Sequence, residues 1–465
     1  MKNIFILILL VPVLCAQGQH QADNWFFGTN GGLTFSTVPP SPLAGGQIFT
    51  GEGSATISDA AGNMLFYTDG STVWDRNNTI MPNGTGLVSS STCTMSAVII
   101  PKPGSSTLYY IFTPPDYIST ALYFSYSVVD MSLNNGNGDV TVKNTALFNP
   151  STEKVTATRH SNGTDFWVVG HKYNSSDFYA YLVTAAGVTM TPVISTVGTL
   201  QGGVADNSIG YMRLSPCGNK LATAVLADGI LELFDFNNTT GVVSNALTLG
   251  TYTPGNPWGL YGLEFSPDNS KLYAEVENPP LVVQYDVNAG SASAIIASAT
   301  TVFSLPTTLL GAMQNGPDGK IYFSRISSEV LAVINYPNLP GTSCGFTDSA
   351  VTIAGYNYHG LPNFYTSIFC SPGTSVAETG HSNMVTSFYI DRGTHMLHVS
   401  LAAGITGRTS IEILNALGAI VYRETIAPGA LQNKVTIPLT DFSCGVYVLK
   451  ITGSRGAEVK KILVD

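Results

Sequence analysis

The feature of this chain that most limits its fold is a tight reversal followed by an apolar strand, which recurs six times between Ser58 and Tyr322. The copies are Ser58-Asp59-Ala60-Ala61-Gly62-Asn63, Lys102-Pro103-Gly104-Ser105-Ser106, Ser161-Asn162-Gly163-Thr164-Asp165, Ser215-Pro216-Cys217-Gly218-Asn219, Ser266-Pro267-Asp268-Asn269-Ser270 and Gly316-Pro317-Asp318-Gly319. Each is followed by a run such as Met64-Leu65-Phe66-Tyr67 or Lys271-Leu272-Tyr273. Pro at the second turn position, with Asp next and Gly or Asn in the left-handed place, turns the chain back within four residues. The Gly62, Gly104, Gly163 and Gly218 turns are spaced by 42, 59 and 55 residues, and Pro216, Pro267 and Pro317 by 51 and 50. A four-stranded sheet repeated at that period is the signature of a β-propeller.

Composition agrees with an all-β chain. Hydrophobic residues make up 44% and charged residues 11% of the 465, with 47 Gly and 25 Pro to punctuate short strands. No window of the repeat region carries an apolar stripe of helical period, so almost no helix is expected. Six copies leave room for a seventh sheet built from both ends, with Trp25 to Gly28 and Gly32 to Phe35 pairing with Phe364 to Phe369. That closure gives seven blades and leaves no bare edge. Six or eight blades, or a β-sandwich, are the alternatives.

The ends read differently. Lys2 and the apolar run Ile4 to Leu14 fit a signal peptide over residues 1–18, too short to span a bilayer. Bulky Leu14 ahead of Cys15 argues against lipidation there. Residues 19–370 are the propeller, and 371–383, without large apolar residues, are a linker. In 384–465, strand patterns at 395–401, 410–414, 419–425, 434–439, 446–451 and 458–464 predict a small antiparallel β-sandwich. Export implies an oxidising compartment, and five cysteines remain beyond Cys15. Cys344 and Cys370, which flank the last propeller segment, are the expected disulfide, with buried free thiols as the alternative.

The tail resembles the type A C-terminal sorting domain of the type IX secretion system of Bacteroidetes. The resemblance is carried by Ile411 to Tyr422 around Asn415 and Gly418, by Phe442 to Ile451 with Gly445 and Tyr447, and by the basic-apolar terminus Glu458 to Val464. It implies a sorting signal that includes Gly445, Tyr447, Lys460, Lys461, Ile462 and Val464, and the secretion machinery as a partner. The family's Pro-Asn-Pro start is absent, with Ser382-Asn383-Met384 in its place. The rest of the chain resembles propellers of the WD-like or YVTN-like kind exported by the same route, through Asn24 to Gly28, Leu65 to Gly70, Val73-Trp74-Asp75, Met81 to Gly84 and Gly360 to Phe364. That likeness implies architecture without an activity.

Chemistry is sparse. The net charge of −10 with only 20 Lys plus Arg excludes a nucleic-acid partner. No metal cage, phosphate loop or nucleophile elbow is present, so no cofactor, metal or catalytic residue is assigned. Arg159-His160, His171 and His359 read as packing or hydrogen-bonding residues. Asp69, Asp75, Asp116, Glu264, Glu275 and Glu277 could converge at a channel mouth, although sequence cannot place any two of them at working separation. Trp25, Trp74, Trp167 and Trp258 suit sugar stacking, but more often pack between blades. The expectation is a non-enzymatic secreted or cell-surface protein that binds or adheres to a glycan or protein. A surface hydrolase of polysaccharide or peptide at the channel mouth is the alternative, and a convergence of acidic or imidazole groups there would favour it.

Overall fold

The reversals form as their residues demand. Gly62, Gly104, Gly163, Gly218 and Gly319 take φ of 69 to 86°, and Asn269 takes 60°, so every copy has its left-handed residue. Each closes on the same backbone bond, from Asp59, Lys102, His160, Ser215, Ser266 and Gly316 N–H to the carbonyls of Asn63, Leu108, Asp165, Lys220, Lys271 and Lys320, at 2.8 to 2.9 Å. In all six, the reversal joins the first and second strands of an antiparallel sheet, four-stranded in four cases, five-stranded in the third and seven-stranded in the sixth.

These facts come from a computed structural model that describes residues 20–117, 123–252, 259–304, 309–370, 385–391, 394–401, 408–415, 419–427, 434–443, 445–453 and 456–464. The expected signal peptide, the linker and Trp258 lie outside them. Contacts divide the chain into two compact units, one within Gln19–Pro372 and one within Gly373–Asp465. Among the described residues one α-helix occurs, Ala292–Ala297, and no helix is long and apolar enough to cross a membrane.

The larger unit is propeller-like. The first strands of its six sheets are Ala55–Ser58, Val98–Pro101, Ser151–Arg159, Met212–Leu214, Leu260–Phe265 and Leu310–Asn315, and each packs on the next. Sheets 1 to 6 are numbered in that order below. Their residues are almost wholly buried, most of the apolar ones in one large core to which Trp25, Phe66, Phe112 and Phe234 contribute, with Leu310 and Met313 in a smaller cluster of their own sector. Each such side chain is worth about 1.5–3 kcal/mol on burial.

The closing sector departs from expectation. The hairpin Asn24–Phe27 with Thr29–Thr34 forms, with Trp25 opposite Leu33, but its second strand bonds to Phe346–Asn357, the outermost strand of sheet 6. Phe364 to Phe369 supply no strand to it, because Thr366–Phe369 is a turn of 3-10 helix. Residues 359–363 instead fill the gap between the first strands of sheets 6 and 1. Ala312 N–H donates to the His359 carbonyl at 2.7 Å, and Asn363 N–H to that of Ser54 at 2.8 Å.

The disulfide is also corrected: Cys370 bonds to Cys217, 153 residues away, and Cys344 is a buried free thiol, as is Cys93. Cys344 lies between the third and fourth strands of sheet 6, its outer pair. The chain after His359 runs along the axis and delivers Cys370 to the reversal of sheet 4.

The smaller unit has two sheets. One orders Val385–Asp391, Met396–Leu401 and Lys434–Pro438, and the other Ile420–Ile426, Thr409–Leu414, Gly445–Gly453 and Gly456–Val464. Alternate residues, among them Leu397, Val399, Ile411, Ile413, Leu449 and Ile451, are buried between them in a separate core.

Candidate functional site: an acidic channel mouth

A strap of chain occupies the axis of the larger unit, and Asn363 is its hub. The Asn363 side-chain carbonyl accepts from Arg213 Nη1, and its amide donates to the carbonyls of Ala97 at 3.1 Å and Val155 at 3.2 Å. Arg213 in turn donates to the Met313 carbonyl and Gln314 Oε1, and its Nε lies 3.6 Å from Glu264 Oε2. With the Asn363–Ser54 backbone bond, two side chains tie together all six first strands or the segments leading into them. Arg213, Glu264 and Gln314 each stand two residues before a reversal, which is why they meet at one level of the channel. Burial pushes the Glu264 carboxyl up to about 7, against the pull of Arg213. Below Asn363, Thr366 Oγ1 donates toward the carbonyls of Ala157 and Ser215.

Above the hub, at the leading ends of the first strands, the strap brings His359 into a ring of acids. Glu153 gets there through a bulge: Ser151 pairs with Lys172 and Val155 with Gly170, so three residues oppose the single His171. Such a bulge re-aims side chains. Glu153 Oε2 accepts from Thr94 N–H at 2.8 Å and Thr94 Oγ1 at 2.7 Å, and Oε1 from Tyr117 N–H at 3.0 Å. Half-buried Glu52 accepts from Tyr261 Oη at 3.2 Å, reaching from the approach to sheet 1 to sheet 5. His359 Nδ1 lies 3.2 Å from Glu277 Oε1, and its ring meets that of Tyr261 edge-on at 5.8 Å. Asp116 Oδ2 accepts from Ser90 and Thr92 hydroxyls at 2.6 Å. Room for the Glu275–Glu277 strand face comes from Gly262 and Gly311, where a Cβ would stand 2.5 Å from a backbone carbonyl of the neighbouring segment.

These carboxyls crowd one another in a water-poor place. Burial, and after it the charge of Glu153, drives Glu52 well above the ordinary carboxyl range. Burial lifts Glu153 to about 7 although three hydrogen bonds favour its ionised form. Glu275, wholly buried, is raised by burial and then by Glu277, and its Oε1 has no hydrogen-bond partner. Lys154, next to Glu153, is turned away, its ammonium donating to the carbonyls of Asn207, Ser208 and Ile209 at 2.8 to 3.4 Å. Burial lowers its pKa to about 7. Partly protonated carboxyls of this kind can donate or accept hydrogen bonds, move a proton, or hold a cation.

Of the residues singled out from sequence, Asp116, Glu277 and His359 meet at the mouth, Glu275 lies beneath it, and Glu264 belongs to the hub. Asp69 and Asp75 cap local turns through Thr72 and Thr79 N–H. Arg159 and His160 sit at the opposite end, bonded to the Gly163 and Thr239 carbonyls. His171 is buried edge-on against Phe178, with burial and then Lys154 lowering its pKa to about 3. Trp25, Trp74 and Trp167 pack, through the Ala22 carbonyl, the Tyr67 ring and the Asn238 carbonyl. Among the described residues no group of His, Cys, Asp and Glu is arranged to hold a metal. Sequence reading missed Glu52, Glu153, Tyr261, Arg213 and Asn363. One available signal was Glu153-Lys154 inside an otherwise neutral strand pattern.

In the smaller unit, Gly445 pairs with Val464, Tyr447 with Ile462, Val448 with Lys461 and Leu449 with Lys460. Tyr447, Ile462 and Val464 are buried in its core, and Lys460 is half-buried. Residues 393–465 match the family of secretion system C-terminal sorting domains. The sorting domain supports a type IX secretion cargo, delivered to the cell surface. No curated protein matches the chain. Solved structures similar to it include the periplasmic gluconolactonase of Pseudomonas aeruginosa, at 11% identity and TM-score 0.35 over 80% of this chain and 97% of that one. A proposed 6-phosphogluconolactonase of Bacteroides uniformis gives 13% identity and 0.39 over 83% and 100%. Hsv2 of Kluyveromyces lactis gives 10% and 0.38 over 68% and 90%. Scores this low bear on neither activity nor ligand.

Proposed function

We propose that this chain is a cell-surface binding protein, exported by the type IX system through its sorting domain, whose propeller holds a glycan or protein ligand at the acidic mouth. The observation that carries the reading is the convergence of Glu52, Glu153, Glu277, His359 and Tyr261 from four separate segments onto one end of a channel that the strap blocks lower down. A blocked channel confines any ligand to the mouth, where the linking loops vary freely without disturbing the sheets. In the tail, Gly445, Tyr447, Lys460, Lys461, Ile462 and Val464 act as the sorting signal.

A second reading is favoured by one specific feature, the coupling of Glu52 to Glu153, with Glu153 near 7. Two carboxyls that hold one proton more readily than a second can serve as acid and base in hydrolysis. The deciding experiment incubates the mature chain and Glu52→Gln with glycan and peptide arrays, and assays the same panel for hydrolysis. Binding without turnover, weakened in the variant, supports the binding reading. Turnover lost in the variant replaces it with the hydrolase, and a panel indifferent to Glu52→Gln removes the mouth from both.

A further inference from the structure

Resting on the reading of the mouth as a binding site, we infer that the group it receives is a cation on a protein partner, the ammonium of a lysine or the guanidinium of an arginine side chain. Three observations converge. The described residues of the loops at the mouth end are 35–54, 86–97, 149–151, 202–211, 252, 259, 309 and 358–363 before first strands, and 69–71, 114–117, 123, 173–174, 226–229, 277–280 and 326–327 between second and third strands. They contain Glu52, Asp69, Asp116, Asp206, Asp228 and Glu277, and not one Lys or Arg. The opposite end is mixed, with Lys220, Lys271 and Lys320 paired to Asp235, Asp286 and Asp318. Lys172 and Arg325 close the second strands beside these loops, Arg325 paired with Asp348, so the face is predominantly acidic and its field is strongest where the acids converge.

The chain's own cations are committed elsewhere. Among the described residues no Lys or Arg forms an ion pair with Glu52, Glu153, Glu275 or Glu277. Arg213 is held by Glu264, Gln314 and Asn363, and Lys154 by three carbonyls. Independently, Glu275 Oε1 is a wholly buried acceptor with no partner, and the charge of Glu277, which reaches His359 in the mouth, acts directly on it. A buried acceptor left empty costs about 1–3 kcal/mol. A cation at Glu277 offsets the charge that, after burial, raises the Glu275 carboxyl. Tyr117, whose N–H bonds to Glu153, is 38% exposed, and the loops of the same end carry Phe49 and Val204, 68% and 53% exposed. They suit the methylene stem of Lys or the flat face of a guanidinium. Acids at the floor with apolar groups around them fit a side chain carried on a peptide better than a bare ion.

Binding of a cation requires ionised carboxyls, so affinity rises as pH rises through about 7, where Glu153 releases its proton. The groups around Glu153 include Glu52, Cys93, Asp116, Tyr117, Lys154 and Tyr261; Lys154 loses its charge near the same pH, and Glu52, held well above the ordinary carboxyl range, becomes negative as it releases its proton.

The test measures binding of a lysine oligopeptide, an arginine oligopeptide, the lysine oligopeptide acetylated on every side chain, a linear polyamine, calcium ion and neutral glycans to the mature full-length chain. Glu52→Gln and Glu153→Gln are measured alongside. Expected are binding of the lysine or arginine peptide, none of the acetylated one, about ten-fold weaker binding by each variant, and tighter binding at about pH 8 than at about pH 5. If Glu153→Gln does not fold, Glu52→Gln decides. Preference for the acetylated peptide or a neutral glycan, still lost in Glu52→Gln, overturns the cation while the mouth stands. Binding of calcium or polyamine without the peptides overturns the peptide source. Binding of every probe unchanged in both variants overturns the mouth itself.

Discussion

Asn363 shows how much one side chain can organise here. It satisfies two carbonyls and one N–H of a guanidinium at the centre of the channel, so Asn363→Leu, similar in size, takes a donor from each carbonyl and one acceptor from Arg213, which keeps Met313, Gln314 and Glu264. Each buried orphan costs about 1–3 kcal/mol. We expect urea unfolding of the variant to show a loss of roughly 3 kcal/mol or more, and a loss under about 1 kcal/mol would deny Asn363 its place at the hub. Glu153 gives a pH signature with a defined sign. Its carboxyl titrates at 4.5 in an open chain and about 7 when folded, so between those values the folded chain binds more protons and stability falls as pH rises. The share due to Glu153 is roughly 3 kcal/mol at most. The decline of the melting temperature between about pH 5 and pH 8 should be shallower in Glu153→Gln, and an unchanged slope would show that Glu153 titrates normally. Neither residue was legible in the sequence. Gly360-Leu361-Pro362-Asn363 reads locally as a turn, and a role fixed by carbonyls of residues 97 and 155 leaves no local trace. Glu153 owes its position to a bulge that periodicity does not reveal. The groups that were singled out are scattered by strand direction: loop-borne Asp69, Asp116 and Glu277 and strap-borne His359 lie toward one end, and Asp69 there caps its own turn.

At the scale of elements, local chemistry and partnership separate cleanly. The six reversals were readable because Pro, Asp, Gly and Asn act through their own φ preferences, and all six recur with one bond pattern. The six strands from Met396 onward in the smaller unit were readable for a similar reason, since alternation exposes which face is buried, whereas the strand Val385–Asp391 was missed. What the outer strand of sheet 6 pairs with was not readable, because an edge strand accepts either of two partners with the same backbone groups. The N-terminal hairpin took that edge, and the C-terminal segment was left free to run down the axis. Cys370 then fell beside Cys217. Closing a loop of 153 residues removes chain entropy from the unfolded state worth about 4–5 kcal/mol in the loop-closure account. The double variant Cys217→Ser/Cys370→Ser should therefore unfold at lower urea by about that much, and wild type in reductant should match it. A variant as stable as wild type under non-reducing conditions would show that the strap is held by its hydrogen bonds alone.

For the whole molecule the relevant fact is the separation of two cores. Among the described residues the propeller cluster draws none from beyond Phe369, and the cluster of the smaller unit draws none from before Phe388. Cargo and address therefore fold on separate accounts of buried surface. Deleting Val459 to Asp465 removes most of the last strand, with Ile462 and Val464 taken from the core of the sorting domain. It takes nothing from the ring, the hub or the mouth. The truncated chain should keep the wild-type melting transition of the propeller and the binding of whatever ligand the arrays identify, yet fail to reach the cell surface, accumulating in the periplasm. Fractionation and surface proteolysis of cells that express it, compared with calorimetry of the purified chain, separate the two properties. Wild-type surface display by the truncation would place the export signal upstream of Val459, and loss of the propeller transition would show that the two cores depend on one another after all.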